Sequence, residues 1–132
     1  MTVSSDVKAI ISFFADQFDA LHPEILISHD NVTFEPPATT WVRILVSPTS
    51  TRAVSIGGQQ IRHTGIAHVQ IFATLNQGAG ESLLLCDEII PLFRHVQIGN
   101  LRFGDPSAIR IGPDETHYQM NVQIPYQSDE FL

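Results

Sequence analysis

The chain has 132 residues, of which 43% are hydrophobic and 16% charged, and its formal net charge is −7. This composition is typical of a globular protein, and the length fits one domain spanning residues 1–132 rather than a disordered or fibrous chain. The acidic balance argues against a nucleic-acid-binding footprint, and a single cysteine excludes an intrachain disulfide.

The sequence has no apolar run of about 18 residues and no basic-then-apolar leader. We therefore expect neither a membrane span nor a signal peptide, and a protein that stays in the cytoplasm where it is made. Charge is unevenly distributed, because residues 41–80 contain three arginines and no acid while both flanks are acidic. This distribution can steer association between subunits or with partners, and chance scattering of so few cations is an equal alternative.

The first predicted element is an amphipathic helix, with Ser4 or Ser5 expected to cap its start and His22-Pro23 to end it. Its apolar residues recur at steps of three and four. They are Val7, Ile10, Ile11, Phe14, Phe18 and Leu21.

Strands follow the helix. Residues 25–27 predict a short strand, and residues 31–37 a polar extended connection over the surface. Residues 40–46 are β-branched and aromatic, which predicts a central strand closed by Ser47-Pro48.

Residues 49–64 are polar and predict a projecting β-hairpin arm with its tip at Gly57-Gly58. The strand at residues 65–74 is expected to pair antiparallel with residues 40–46. Its residues alternate, so that one side is apolar and the other holds His68 and Gln70.

A loop at residues 76–80 precedes a second predicted helix from about Glu81, whose last turn contains Pro91. Its expected apolar face is Leu84, Leu85, Ile89, Leu92 and Phe93. A turn at Gly99-Asn100, a short strand at residues 108–111 and an alternating strand at residues 117–126 complete the chain. The fold class is therefore α+β, with a mostly antiparallel β-sheet, two main helices packed on it and the hairpin arm.

No catalytic, metal-binding or cofactor-binding constellation can be assembled from the sequence. The chain lacks the ligand spacing of a zinc site and the G-x-S-x-G motif of a hydrolase. Cys86 is interpreted as a small buried or half-buried residue, because no nearby cation would lower its pKa. Four histidines at element ends or on polar faces, namely His22, His29, His95 and His117, are interpreted as solvated surface residues. We expect a protein without catalytic activity.

The remaining candidates are surface residues. The arm places apolar side chains among cations, and two large apolar residues stand at the chain end, where they could dock on a neighbour. The candidate subunit or tube interface is Arg52, Ile56, Ile61, Arg62, Phe131 and Leu132. A mobile loop and a frayed end are the alternative interpretation.

Several stretches, in this order and spacing, resemble the phage tail terminator-like family, small proteins of siphophage and prophage tail modules. They are residues 31–37, 41–46, 54–58, 62–65 leading into 69–72, 86–94 and 122–126. The resemblance covers most of the chain, and it consists of strand and turn patterns rather than catalytic signatures.

The resemblance implies a structural virion protein that forms a ring, typically a hexamer, on the last ring of the tail tube. Such a ring stops tube polymerisation and provides the head-joining surface. The implied partners are further copies of the chain, the tail tube protein and a head-completion or connector protein, with DNA only as a passing cargo and no membrane. The implied location is the head-proximal end of the virion tail, after assembly in the host bacterial cytoplasm.

Two alternatives remain open at this point. The chain could be another neck protein, such as a head–tail connector, or a small ligand-binding or enzymatic bacterial domain. The second alternative predicts a monomer with a deep apolar pocket, and the ring predicts a subunit with large, moderately polar flanks.

Overall fold

The computed structural model describes residues 2–76 and 80–132, and within them the chain forms two helices and one sheet of seven strands. The helices are α1 (Val3–Leu21) and α2 (Gly80–Phe93). The strands are β1 (Leu26–His29), β2 (Trp41–Ala53), β3 (Gln60–Thr74), β4 (Gln97–Ile98), β5 (Leu101–Phe103), β6 (Ser107–Pro113) and β7 (His117–Phe131). The predicted α+β class is confirmed.

The sheet has the order β1-β2-β3-β7-β5-β4, and β6 also pairs with β7. Every pairing is antiparallel except that of β1 with β2. The centre is the long antiparallel ladder of β2, β3 and β7. The antiparallel pairing of β2 with β3 was predicted, and that of β3 with β7 was not. A parallel β1 was not expected from the sequence.

Both helices pack on one face of this sheet. The core between them contains the apolar side of each long strand and the buried stripe of each helix. From the helices it takes Ile10, Phe14, Phe18, Leu85, Ile89 and Phe93, and from the strands Val42, Ile44, Ala67, Val69, Ile71, Met120, Val122 and Ile124. The opposite face has no helix on it within the described residues, and we call it the helix-free face.

Helix α1 begins earlier than the sequence suggested. Thr2, not Ser4 or Ser5, is the N-cap, and its side chain accepts a hydrogen bond from the backbone of Ser5. The backbone N–H of Thr2 in turn donates to Ser5 Oγ, which completes a capping box. The predicted end is confirmed, because the last helical residue is Leu21.

The prediction that Ser47-Pro48 closes the central strand is wrong. Strand β2 continues to Ala53 through a bulge between Pro48 and Ser50. Beyond Ile44, β2 has no pairing on its β1 side in the described chain, so it is an edge strand there. The missing proline N–H is tolerated at a bulge on an edge.

Helix α2 includes Pro91 in its last turn and ends at Phe93. The predicted apolar face is wrong at Leu84, which is 64% exposed. Ser82 and Cys86 are buried instead, together with Leu85, because the helical stripe that faces the core runs through Ser82, Leu85, Cys86, Ile89 and Phe93. The predicted loop at 76–80 lies largely outside the described residues.

The interpretation of His117 as a solvated residue is also wrong, because it is buried. Its Nε2 lies 3.1 Å from the carbonyl oxygen of Pro37 and 3.2 Å from that of Thr39. The connection between β1 and β2 therefore lies over the start of β7. No helix in the described part of the chain has the length and apolar character needed to cross a membrane.

Candidate assembly surface

The arm is confirmed as a hairpin, but it has a third strand. Cross-strand pairing of β2 with β3 continues to Ala53 and Ile61, and Gly57 and Gly58 adopt the positive φ angles of a tight tip. Strand β7 follows β3 to the pair of Gln60 with Phe131. The chain end is thus part of the arm and not a separate tail.

Apolar side chains are concentrated at the end of this arm. Ile56 is fully exposed at the tip, and Val54 precedes it with a partly exposed side chain. Phe131 and Leu132 are exposed beside the hairpin, where the backbone N–H of Leu132 donates to the carbonyl of Gln59. We call Val54, Ile56, Phe131 and Leu132 the arm-tip cluster. Several large apolar side chains exposed at one end of a domain are a candidate interaction site.

Two arginines of the arm differ in their electrostatic state. Arg62 donates to both carboxylate oxygens of Asp129, at 2.9 and 3.4 Å, and this ion pair raises the pKa of Arg62 and lowers that of Asp129. Arg52 is the cross-strand partner of Arg62, so two cations stand side by side. Arg52 is exposed, and the described residues give it no carboxylate partner. The unbalanced cation of the arm is therefore Arg52.

Ile61 lies on the other side of the ribbon from Arg62, since successive strand residues point to opposite faces. It is half-buried, and its neighbour His63 is buried with Nδ1 2.9 Å from Thr51 Oγ1. His63 Nε2 lies 3.7 Å from a carboxylate oxygen of Glu130, which is ion-pair range but too long for a hydrogen bond. This face is therefore more closely packed than the Arg52 face.

The base of the arm is joined to α1 by a buried polar contact. Ser128 Oγ donates to Asp6 Oδ2 at 2.5 Å, and both residues are fully buried. Asp6 Oδ1 has no hydrogen-bond partner among the described residues. Burial, and secondarily the charge of Asp6, raises the pKa of Tyr126, which lies against Gly65 at the same level of the sheet. The position of the arm is thereby tied to the helical layer.

Arg43, the third cation of the central segment, is held within the subunit. Its guanidinium lies 5.3 Å from the ring centroid of Trp41, which stacks on Phe72 at 4.1 Å. Its Nε also lies 3.5 Å from Ser28 Oγ. Such cation–π contacts restrict the arginine to the helix-free face.

The helical layer is acidic by contrast. Its exposed carboxylates include Asp16 and Asp19 on α1 and Asp87 and Glu88 on α2. Glu88 is paired with His22, but the described residues provide no ion-pair partner for Asp87. Leu83 and Leu84 are exposed on the same helix. The helical layer therefore has exposed negative charge and exposed leucine side by side, whereas the arm carries charges of both signs.

Side chains that could ligate a metal ion do not converge within the described residues. No group of three or more histidine, cysteine or acidic side chains among them is placed to hold a metal ion. Cys86 is buried as predicted, and burial, together with the neighbouring Asp87, raises the pKa of its thiol. Grooves of roughly 360–550 Å³ on the surface are open to solvent.

Solved structures define the class of fold. Ten chains of solved structures match the model, and one of them superposes with a TM-score of 0.74 over 99% of each chain at 20% sequence identity. At this identity the likeness shows that the two chains share the α+β fold over their whole length. Among curated proteins, no significant sequence match was found.

The family follows from the sequence itself. The family model described as phage tail terminator protein matches residues 9–126. The chain therefore belongs to the phage tail terminator family, and it is a structural protein of phage tails. The resemblance inferred from the strand and turn patterns is confirmed. The matched range includes the hairpin of the arm and ends at Tyr126, before the last residues of β7.

Proposed function

We propose that the chain, as a single domain, assembles into a closed ring on the end of the tail tube, stops tube polymerisation and provides the head-joining surface. The partners are further copies of the chain, the tail tube protein and a head-completion or connector protein. The ring would lie at the head-proximal end of the virion tail after assembly in the host bacterial cytoplasm. Family membership supports the tail role.

The observation that supports self-association is the arm. It extends a fully exposed isoleucine and an unbalanced arginine away from the two-layer body. The acidic, partly apolar surface of α2 lies elsewhere on the molecule. Two different complementary surfaces form a heterologous interface, and such interfaces close into rings when the rotation between neighbours closes. A hexamer is the ring size that the family resemblance implies.

We propose no catalytic role. The open grooves and the lack of a metal-holding cluster in residues 2–76 and 80–132 give no support for the ligand-binding or enzymatic alternative. The net charge of −7 suits a ring through which DNA passes without being held, since few cations are available to bind phosphates. A ring whose lumen proved to be lined mainly by arginine would contradict this role for the charge.

The test is the solution mass from light scattering, over a concentration series with and without magnesium, followed by electron microscopy of isolated tail tubes mixed with the protein. We expect a species of about six times the 14.6 kDa chain and tubes that carry a cap at one end and no longer elongate. Tubes that elongate normally in saturating protein would overturn the terminator role. Binding to heads rather than tubes would favour the connector alternative.

A further inference from the structure

We propose that the arm of one subunit docks on the outer surface of α2 in a second copy, with Arg52 meeting Asp87 and the arm-tip cluster covering Leu83 and Leu84. This inference rests on the proposed self-association and names the surface that receives the arm. Ile56, Phe131 and Leu132 were candidates from the sequence, whereas Val54 and the α2 surface were not. Leu84 in particular was expected in the core.

The receiving surface consists of three side chains on one side of α2. Leu83 and Leu84 are 49% and 64% exposed, although leucine side chains of a two-layer domain are ordinarily turned to the core. Asp87 is four residues after Leu83 and three after Leu84, so the three share one helix face. We call Leu83, Leu84 and Asp87 the α2 patch. It combines apolar area with the negative charge of Asp87, which has no ion-pair partner among residues 2–76 and 80–132.

The arm offers the complement of this patch. The arm-tip cluster supplies exposed apolar area, and Arg52 supplies a cation without a carboxylate partner in the described chain. The cross-strand partner of Arg52 is Arg62, which is already paired with Asp129. Arg52 is therefore the arginine of this pair that is left to bind a carboxylate from a neighbour. Asp87 is such a carboxylate, exposed beside apolar surface.

The two surfaces cannot meet within one subunit. Thr40 Oγ1 donates to Glu81 Oε1 at 2.5 Å and lies 3.4 Å from Thr74 Oγ1, so the start of α2 is beside the end of β3. The arm tip is at the other end of β3, which has 15 residues and therefore a length of roughly 50 Å. Arm and patch thus lie near opposite ends of the subunit. Contact between them requires a second copy, arranged head to tail.

The test is site-directed cross-linking between copies. The variants Ile56→Cys and Leu84→Cys are mixed, and a short bismaleimide is added to cross-link them. The native Cys86 is buried, so we expect it not to react. We expect a covalent dimer in the mixture and little in either variant alone. Val32→Cys replaces Ile56→Cys in the control mixture, since Val32 is also exposed, at 62%, but lies outside both surfaces.

A charge exchange tests the ion pair independently. Arg52→Glu and Asp87→Arg should each weaken association by about tenfold or more, and the double variant should recover most of that loss. The control pair is Arg94→Glu with Asp16→Arg, which are exposed charges outside the two surfaces. The fold of each variant is checked by its circular dichroism spectrum.

The outcomes separate this inference from the proposed function. A cross-link through Ile56 in both copies, or equal cross-linking with Val32→Cys, would overturn docking on α2 even if the mass showed a ring. A chain that stays monomeric without any cross-link would also overturn it, and tube capping would then decide the terminator role separately. When the double variant Ile56→Cys/Leu84→Cys is cross-linked, covalent oligomers of increasing size are expected. A largest oligomer that has as many subunits as the ring indicates that the ring is closed.

Discussion

At Gly65 the backbone of β3 passes directly against Tyr126 of β7. A β-carbon built at this position would lie 2.5 Å from Tyr126 Oη and 2.6 Å from two ring carbons. Real β-carbons do not approach heavy atoms so closely, so Gly65→Ala must displace the buried tyrosine. We expect a loss of about 1–3 kcal/mol in the free energy of unfolding, measured by urea denaturation.

Gly80→Ala is the matched control for Gly65→Ala, because its β-carbon would meet no atom within 4 Å. This second substitution, in the first turn of α2, should be neutral or slightly stabilising. Equal stability of the two variants would show that Tyr126 moves aside without cost and that the base of the arm is not closely packed.

The contact between Asp6 and Ser128 joins the first turn of α1 to the arm. Ser128→Ala removes the hydrogen bond to a fully buried carboxylate whose other oxygen is unpaired in the described structure. We expect a loss of about 1–3 kcal/mol in the free energy of unfolding. Urea denaturation of Ser128→Ala, Asp6→Asn and the double variant should show losses that are not additive. Simple addition would mean that the two side chains do not interact.

Individual residues differ in how far the sequence predicts them. Burial of Cys86 was predicted, from its place on the second helix and the absence of a nearby cation that would make it a reactive thiol. Asp6 lies in the first turn of α1, where a carboxylate is favourable beside the helix dipole, and no local pattern indicates that it is buried. Its burial depends on Ser128, 122 residues later in the chain, and no local pattern reports a contact at that separation. His117 was interpreted wrongly for the same reason, since Pro37 and Thr39 cover it from a distant connection.

At the scale of elements, His22 links the end of α1 to α2. Its imidazole pairs with Glu88 of α2 and lies 3.0 Å from Glu24. Its pKa is raised above 6.5, first by the hydrogen bond to Glu88, against a smaller opposing effect of burial and with help from Glu24. A histidine whose pKa is raised by folding stabilises the folded state below the unfolded pKa. That stabilisation is lost as the pH rises through the folded pKa.

We therefore expect the difference in unfolding free energy between the wild type and His22→Gln to be largest from about pH 5.5 to 6.5 and to vanish toward pH 9. Chemical denaturation over this range measures it. Comparison with the variant is needed because burial lowers the pKa of His68, so that this residue makes the unfolding free energy rise with pH. His68 is present in both proteins, and its effect cancels in the difference. Glu88→Gln is the control and should reproduce the loss. A pH-independent difference would contradict the proposed link between α1 and α2.

The arm shows why element boundaries were predicted less well than element types. Residues 40–46 and 65–74 have the β-branched and alternating character of strands, and both strands were predicted. The extension of β2 past Pro48 and of β7 to Phe131 adds mostly polar residues that do not alternate with apolar ones. They become strand because β3 supplies a hydrogen-bonding partner along the whole arm. Pairing with a neighbour thus outweighs local propensity.

At the scale of the whole molecule, the arm tip should matter for assembly and not for folding. Ile56→Ser removes a fully exposed apolar side chain, so the free energy of unfolding should change by less than about 0.5 kcal/mol. The concentration needed for half-maximal assembly should rise by about tenfold or more if this side chain is buried between copies. Light scattering and urea denaturation on the same sample measure both quantities.

Val32→Ser is the matched control for Ile56→Ser, since Val32 is exposed but lies away from the arm. This substitution should leave assembly unchanged. Equal behaviour of the two variants in assembly would remove the arm tip from the subunit interface, and a loss of stability in Ile56→Ser would indicate that the tip packs within its own chain.

The sequence by itself determined the α+β class, the two helices, the central strands, the hairpin and the family, because periodicity, turn residues and motif order are local properties of the chain. The tertiary structure decided the surfaces. It paired Arg62 with Asp129 and left Arg52 unbalanced, turned Leu84 outward, and made the chain end the third strand of the arm. These outcomes depend on contacts between residues far apart in the chain, and such contacts arise only when the sheet and helices pack together.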